Sequence, residues 1–155
     1  MKAFQFVEEF NSIHGDKVTL CVTDKVPGNE RELPFYYYDI IENDADAVVG
    51  KISIRIGNNY HSYYNGNIGY EILEAYRGNK YSLEACQLVL RVAAYYEMDL
   101  IYITCNYDNY ASIKIINLLG AEFIETVEIP RDYVYYHEGI KPHNIYKLTL
   151  MEEHT

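Results

Sequence analysis

Apolar and polar positions alternate in short runs over the first half of the chain, whereas apolar residues recur at helical spacing only in the second half. KVTLCVTD, residues 17–24, reads as a first strand, and PGNERELP, residues 27–34, as a polar loop bounded by prolines. FYYYDIIEN and AVVGKISIRIG follow as two strands joined through the turn-rich Asp44-Ala45-Asp46, which predicts a hairpin. The Asn- and Tyr-rich residues 58–67 read as a loop, and GNIGYEIL as the next strand. Over residues 79–96, Ala85, Leu88, Val89, Val92 and Tyr96 recur at helical spacing and make one stripe for a sheet face. LIYITCN is short and nearly all apolar, the pattern of a strand buried on both faces. Residues 109–119 predict a second helix, with Ile113, Ile116 and Leu119 on one side and Gly120 at the usual stop position. AEFIETVEIP and IYKLTL supply the last strands. Strands first, then strand, helix, strand, helix and strand, predict an α/β fold on a mixed sheet with central parallel character.

Composition narrows the partners. A chain of 155 residues favours one domain, residues 1–155, and with 49% hydrophobic residues it can enclose a core. The net charge of −10 disfavours nucleic acid and anionic membranes and suits a cationic partner. Cys21, Cys86 and Cys105 are odd in number, widely spaced and set in apolar surroundings, so they read as reduced core thiols. MKAFQFVEEFN carries charges too early for a signal peptide, and no stretch approaches the roughly 20 apolar residues of a membrane span. A cytoplasmic protein is expected. Eighteen tyrosines without a tryptophan suit strands and amphipathic cleft walls. No histidines or cysteines have metal-ligand spacing, and no serine or cysteine sits in a nucleophile elbow, so neither a metal nor a covalent nucleophile is expected.

The chemistry concentrates in EAYRGNKYSLEAC, residues 74–86, where a strand hands over to a helix. The unsatisfied N–H groups and positive dipole end of a helix seat phosphate, and Arg77 and Lys80 add charge there. Taken alone, a solvated turn with two surface cations explains the segment better. Neither a P-loop nor a GxGxxG fingerprint is present. About thirty residues on comes NYDNYASIKIINLLGAEF. Together, GYEILEAYRGNKYS and CNYDNYASIKIINLLGAEF resemble the acetyl-CoA core of the GNAT superfamily of N-acetyltransferases, in the subgroup that includes the ribosomal-protein N-terminal acetyltransferases. The resemblance covers residues 66–123.

This resemblance implies a mixed, mostly antiparallel twisted sheet with a splayed central parallel strand pair and helices on both faces. Acetyl-CoA is then expected in a V-shaped gap between the strand ending at Ile72 and LIYITC, its pantetheine arm paired with backbone around Ile72 and Glu74. The amides of Gly78, Asn79, Lys80, Tyr81 and Ser82 would hold the pyrophosphate beside Arg77. Asn109 would hydrogen-bond the pantetheine or thioester end, besides capping its helix, and Ser112 would contact the sulfur region. An N–H near Ile72 is the expected oxyanion donor. The chain departs from the family pattern at Lys80, where a glycine with free access to positive φ is usual, at Ser82, where glycine or alanine is usual, and at Ile116, where many members carry a tyrosine acid.

An alkylamine with a pKa near ~10.4 is free base on the order of one part in a thousand at neutral pH, so a proton acceptor is useful. Glu71 is the first candidate, acting directly or through water; a strand-face carboxylate paired with a cation explains it equally. Ser112, Tyr110 or solvent is left to meet the leaving thiolate. His61 and His137 are placed to line an acceptor cleft, or are plain surface residues. The expected activity is acetyl transfer to a small amine or peptide amino terminus, with the acidic balance leaning toward a cationic acceptor such as a polyamine, aminoglycoside or basic peptide. A catalytically weak CoA-binding sensor or interaction module is the alternative, and an unrelated α/β interaction domain a third. PGNERELP, residues 58–67 and RDYVYYHEGIKPHN are expected to set the acceptor, and the end strands leave a homodimer open.

Overall fold

The computed structural model describes residues 4–150. Strands β1 (Ser12–His14), β2 (Val18–Val26), β3 (Phe35–Glu42), β4 (Ala47–Arg55) and β5 (Ile68–Ile72) form one sheet in chain order. Strands β6 (Leu100–Asn106), β7 (Glu122–Val127) and β8 (His143–Thr149) form a second, with β8 in the middle. Three helices connect them: α1 (Tyr60–Asn65), α2 (Tyr81–Tyr95) and α3 (Tyr110–Leu118).

Every strand ladder among the described residues is antiparallel. The central pair β5 and β6, linked through α2, is joined only near its start and by no ladder. There the Asn67 N–H donates to the Tyr102 carbonyl at 2.7 Å, and the Tyr102 N–H donates to Asn67 Oδ1 at 2.8 Å. The second bond ends the pairing, because a side-chain oxygen takes the place of the next backbone acceptor. Asn67 is fully buried and its amide also donates to the carbonyls of Arg55 and Gly57. One residue thus closes the base of the gap and leaves its mouth open.

The core lies between the five-stranded sheet and α2. Ala85, Leu88, Val89 and Val92 are buried as their spacing predicts, against Leu20, Ile40, Ile52 and Ile54. Ile116 of α3 joins the same cluster, Leu119 is half-buried against it, and Ile113 is half-buried. Helix α1 packs on the opposite side of β6 through Tyr63, whose ring lies 5.0 Å from that of Tyr102. Helices therefore cover both faces. Tyrosines also pin the amino-terminal segment: the Val7 N–H donates to Tyr36, whose hydroxyl donates to Tyr96 at 2.7 Å, and Tyr96 donates to the Gln5 carbonyl. The three cysteines are free, but only Cys86 is fully buried; Cys21 and Cys105 are half-exposed strand residues.

Two local expectations need correction. Residues 58–67 hold α1 rather than a loop, because Asn59 and Ser62 form a reciprocal capping box: Asn59 Oδ1 accepts the Ser62 N–H and Ser62 Oγ accepts the Asn59 N–H, both at 2.8 Å. β1 was not expected, being only three residues, paired with β2 across the short turn of residues 15–17. Among the described residues, no helix is long and apolar enough to cross a membrane, and no cluster of histidine, cysteine and carboxylate side chains has metal-site geometry.

Candidate active site

The register of the sheet decides what the gap offers. Leu73 donates to the Val49 carbonyl and Arg55 to the Asn67 carbonyl, so Gly69, Glu71 and Leu73 direct their main-chain groups at β4. By alternation, Tyr70 and Ile72 direct theirs away from β4, into the gap. The same parity on β6, set by the bond from Leu150 to Asp99, points the groups of Tyr102 and Thr104 toward β5. Past Asn67, two strand edges face each other with no ladder between them. A linear amide can lie there as an extra strand. Of the two backbone positions expected to meet a pantetheine arm, Ile72 sits on this edge, whereas Glu74 lies beyond it in a 3-10 turn, residues Glu74–Tyr76.

The turn after β5 closes in the expected form. Gly78 has φ 90° and Lys80 has φ 61° and ψ 25° as the residue capping α2. Lys80 thus adopts the left-handed conformation that a glycine would take freely, at a cost of roughly 1 kcal/mol. The first N–H groups of α2, at Tyr81 and Ser82, have no carbonyl within the helix to receive them. Asn79 Nδ2 donates to the Tyr76 carbonyl at 3.1 Å, and Lys17 Nζ reaches the Asn79 carbonyl at 3.3 Å. Glu84 fixes the helix to β2 by accepting from the N–H groups of Lys17 and Val18 at 2.8 and 2.9 Å. Arg77 turns back, its Nε donating to the Ile72 carbonyl at 3.1 Å, while its terminal nitrogens stay open.

Across the gap, Asn109 caps α3 by accepting the Ser112 N–H at 3.2 Å. Tyr70, which the sequence did not single out, spans the space from β5 toward Ser112, Cys86 and Cys105. Its hydroxyl is shut off from solvent and makes no hydrogen bond, although Ser112 lies close enough to oppose the effect of burial. Burial raises its pKa to about 12. A buried, unpartnered hydroxyl beside two unpaired strand edges is the signature of a site built for a polar ligand.

The sequence pattern of the acetyltransferase (GNAT) domain family matches residues 18–122. The chain belongs to the GNAT acetyltransferases. No curated relative matches significantly by sequence. Among solved structures, the fold resembles a putative ribosomal-protein-serine acetyltransferase from Vibrio cholerae, at 16% identity and TM-score 0.65, over 89% of this chain and 97% of that one. It also resembles RimL, a ribosomal alpha-N-protein acetyltransferase, at 18% identity and TM-score 0.57, over 77% and 72% of the two chains. A third is the microcin self-immunity acetyltransferase MccE in complex with acetyl-CoA and AMP, at 17% identity and TM-score 0.57, over 74% and 61%. These likenesses show a GNAT fold, with mixed α/β architecture as expected.

The other face of β5 in this GNAT domain is a separate environment. Cross-strand registers place Tyr37, Ser53 and Gly69 in one row and Asp39, Lys51 and Glu71 in the next. All of these but Asp39 floor a cavity of about 400 Å³ that also reaches Arg55. Lys51 is bound to Asp39 at 2.8 Å, which with that hydrogen bond raises its pKa, and it lies over the Tyr37 ring. Glu71 stands opposite Lys51 in register but takes no direct ion pair, so its carboxylate faces the cavity. Of the residues picked out by sequence, Ile72 lies on the gap edge, Arg77 is tied to its carbonyl and Ser112 lies beside Tyr70, while Gly78, Asn79, Lys80, Tyr81 and Ser82 form the turn and the start of α2 after β5, with Tyr81 beside Glu42, and Asn109 caps α3. His61 does not join them: its Nδ1 accepts the Val134 N–H at 3.2 Å and fastens the tail segment. His137 is exposed, and Tyr110 is 75% exposed on the outside of α3.

Proposed function

We propose that the protein transfers the acetyl group of acetyl-CoA to a primary amine of a small molecule or peptide amino terminus, by direct attack, within one domain spanning residues 1–155. The observation that carries this reading is the edge of β5 facing the gap just ahead of the Gly78 turn, where the Ile72 N–H lies outside the ladder with β4 and the Ile72 carbonyl already accepts from Arg77 Nε. Acetyl-CoA supplies the acetyl group as an activated thioester. The Ile72 N–H is placed to donate to a carbonyl oxygen that gains charge during attack, a role in which a fixed donor is worth more than water. Main-chain groups of Ile72, with Glu74 beyond the strand end, hold the pantetheine arm. The amides of Gly78, Asn79, Lys80, Tyr81 and Ser82 receive pyrophosphate, joined by the Lys80 ammonium and the free nitrogens of Arg77.

Glu71 points from β5 into the cavity and takes the proton of the attacking amine, directly or through one water. On the opposite side, Ser112 and Tyr70 approach the leaving sulfur, and Asn109 holds the start of α3 that presents Ser112. With its pKa at about 12, Tyr70 stays protonated and donates a hydrogen bond rather than its proton. A thiolate of pKa near ~8.5 leaves without more help. This arrangement answers the absence of a tyrosine at position 116, where a fully buried isoleucine belongs to the core.

Ile116 also motivates a second reading, a GNAT-fold protein that binds CoA as a sensor or interaction module without turnover. Thermal shift with acetyl-CoA, with CoA and without ligand, followed by thiol release against an amine panel, separates the two. Both cofactors are expected to raise Tm, and at least one amine to release thiol. A shift without release favours the sensor; no shift contradicts both readings.

A further inference from the structure

The chain carries ten more negative than positive charges, yet one guanidinium in the acceptor cavity has no carboxylate partner among the described residues. Arg55 lies with its Cζ 5.3 Å from the centre of the Phe35 ring. The Asn65 amide, turned so that its oxygen faces the guanidinium, accepts from Nε at 3.2 Å and Nη2 at 3.3 Å and donates to the Tyr133 hydroxyl at 3.2 Å. These partners are all uncharged, and only through the Tyr135 hydroxyl beside Arg55, to which it is hydrogen-bonded, does the Glu32 carboxylate reach the cation. Among the described residues, no carboxylate lies within ion-pair distance of it. The other cation of the cavity, Lys51, is already bound to Asp39.

The direction of Arg55 matters as much as its freedom. A Cβ at Gly69 would lie 3.9 Å from Arg55 Nη1 and 3.3 Å from Ser53 Oγ, so the guanidinium reaches across the floor to β5. Gly69 and Glu71 are two residues apart on that strand and point to the same face, a spacing of roughly 7 Å. The cavity therefore presents a carboxylate and a guanidinium without an ion pair, at neighbouring positions on one face, over a floor made low by Ser53 and Gly69.

We infer that the acceptor is an amine that carries its own anionic group, a carboxylate or phosphate a few bonds from the nitrogen, with the amine at Glu71 and the anion on the Arg55 guanidinium. This rests on the acetyltransferase reading of the Glu71 face and names its substrate class. It reverses the cationic acceptor that the overall charge suggested. The charges lining the cavity nearly balance, Lys51 and Arg55 against Asp24 and Glu71. Total charge speaks for the outer surface, not for this cleft.

Matched ligands test it: glycylglycine against glycylglycine amide for the carboxylate, and 3-aminopropyl phosphate against 3-aminopropanol for the phosphate. Binding of each is measured by titration calorimetry on the full chain with CoA present and again without it, and each is assayed for thiol release. At least one anionic member is expected to bind about tenfold more tightly than its neutral twin, as a charge-assisted pair allows. Arg55→Met should erase that preference and Arg55→Lys should keep part of it; Lys also serves if the Met variant fails to fold. Equal affinity within both pairs, or a preference that survives Arg55→Met, overturns the inference. Thiol release with neutral and anionic amines alike overturns it while leaving acetyl transfer standing. Absence of acetyl-CoA binding removes the acetyltransferase reading, and the calorimetric comparison made without CoA still decides the anion site.

Discussion

The two sides of β5 recognise by different means. Toward β6 the strand offers main-chain groups, at Tyr70 and Ile72, and continues into the turn that starts α2. Toward the cavity it offers the side chain of Glu71 and the bare backbone of Gly69, set among side chains from β3 and β4. Backbone recognition depends on conformation and hardly on residue identity, whereas the cavity depends on identity throughout. Substitutions on the two sides should therefore fail in different ways.

The largest effect is expected at Glu71. Glu71→Gln should lower kcat/KM about 100-fold near pH 7, the low end for loss of a general base, and the gap should narrow toward pH 10 as the ammonium loses its proton unaided. Acetyl-CoA affinity should hardly move. A pH–rate profile parallel to that of the unaltered enzyme removes Glu71 as the base.

Next comes Gly78, whose φ of 90° is open to glycine and strained for any other residue, although an added methyl would touch nothing within 4 Å. Gly78→Ala should weaken acetyl-CoA about tenfold, following a conformational cost of 1–2 kcal/mol, and leave the KM for the amine alone. Equal weakening of both substrates would place the defect elsewhere.

Lys80 combines both kinds of recognition. Lys80→Gly should relieve about 1 kcal/mol of left-handed strain, read as greater stability to urea, while removing the ammonium should weaken acetyl-CoA about threefold to tenfold. Tighter binding by the glycine variant shows instead that the lysine obstructs the turn. The smallest effect belongs to Ile72→Val. Because only the main chain of Ile72 faces the gap, acetyl-CoA affinity should stay within about twofold, whatever the modest loss of packing.

The same division explains what the sequence disclosed. Gly78, the Asn109 cap and the helical stripe from Ala85 to Val92 are local signals, and each lies where the pattern put it. The capping box of Asn59 and Ser62 was equally local but sat in a run of tyrosines that masked α1. Tyr70 could not be singled out, since its isolation arises only when β5, α2, β6 and α3 meet around it. Arg55 is likewise one of several strand cations until Phe35, Asn65 and Gly69 fix its direction. The register of β4 with β5 chooses which face Glu71 joins, and a slip of one residue would have turned it into the core.

The central claim is that the open edge of β5 and the turn that follows hold acetyl-CoA through the main chain. Backbone amide NMR during a CoA titration tests it most directly. The account predicts that the largest shifts fall on the N–H groups of Ile72 and of Gly78, Asn79, Lys80, Tyr81 and Ser82, with Lys51, Ser53 and Arg55 nearly unmoved. Shifts centred on the cavity residues, with the β5 edge and the turn unchanged, would contradict it.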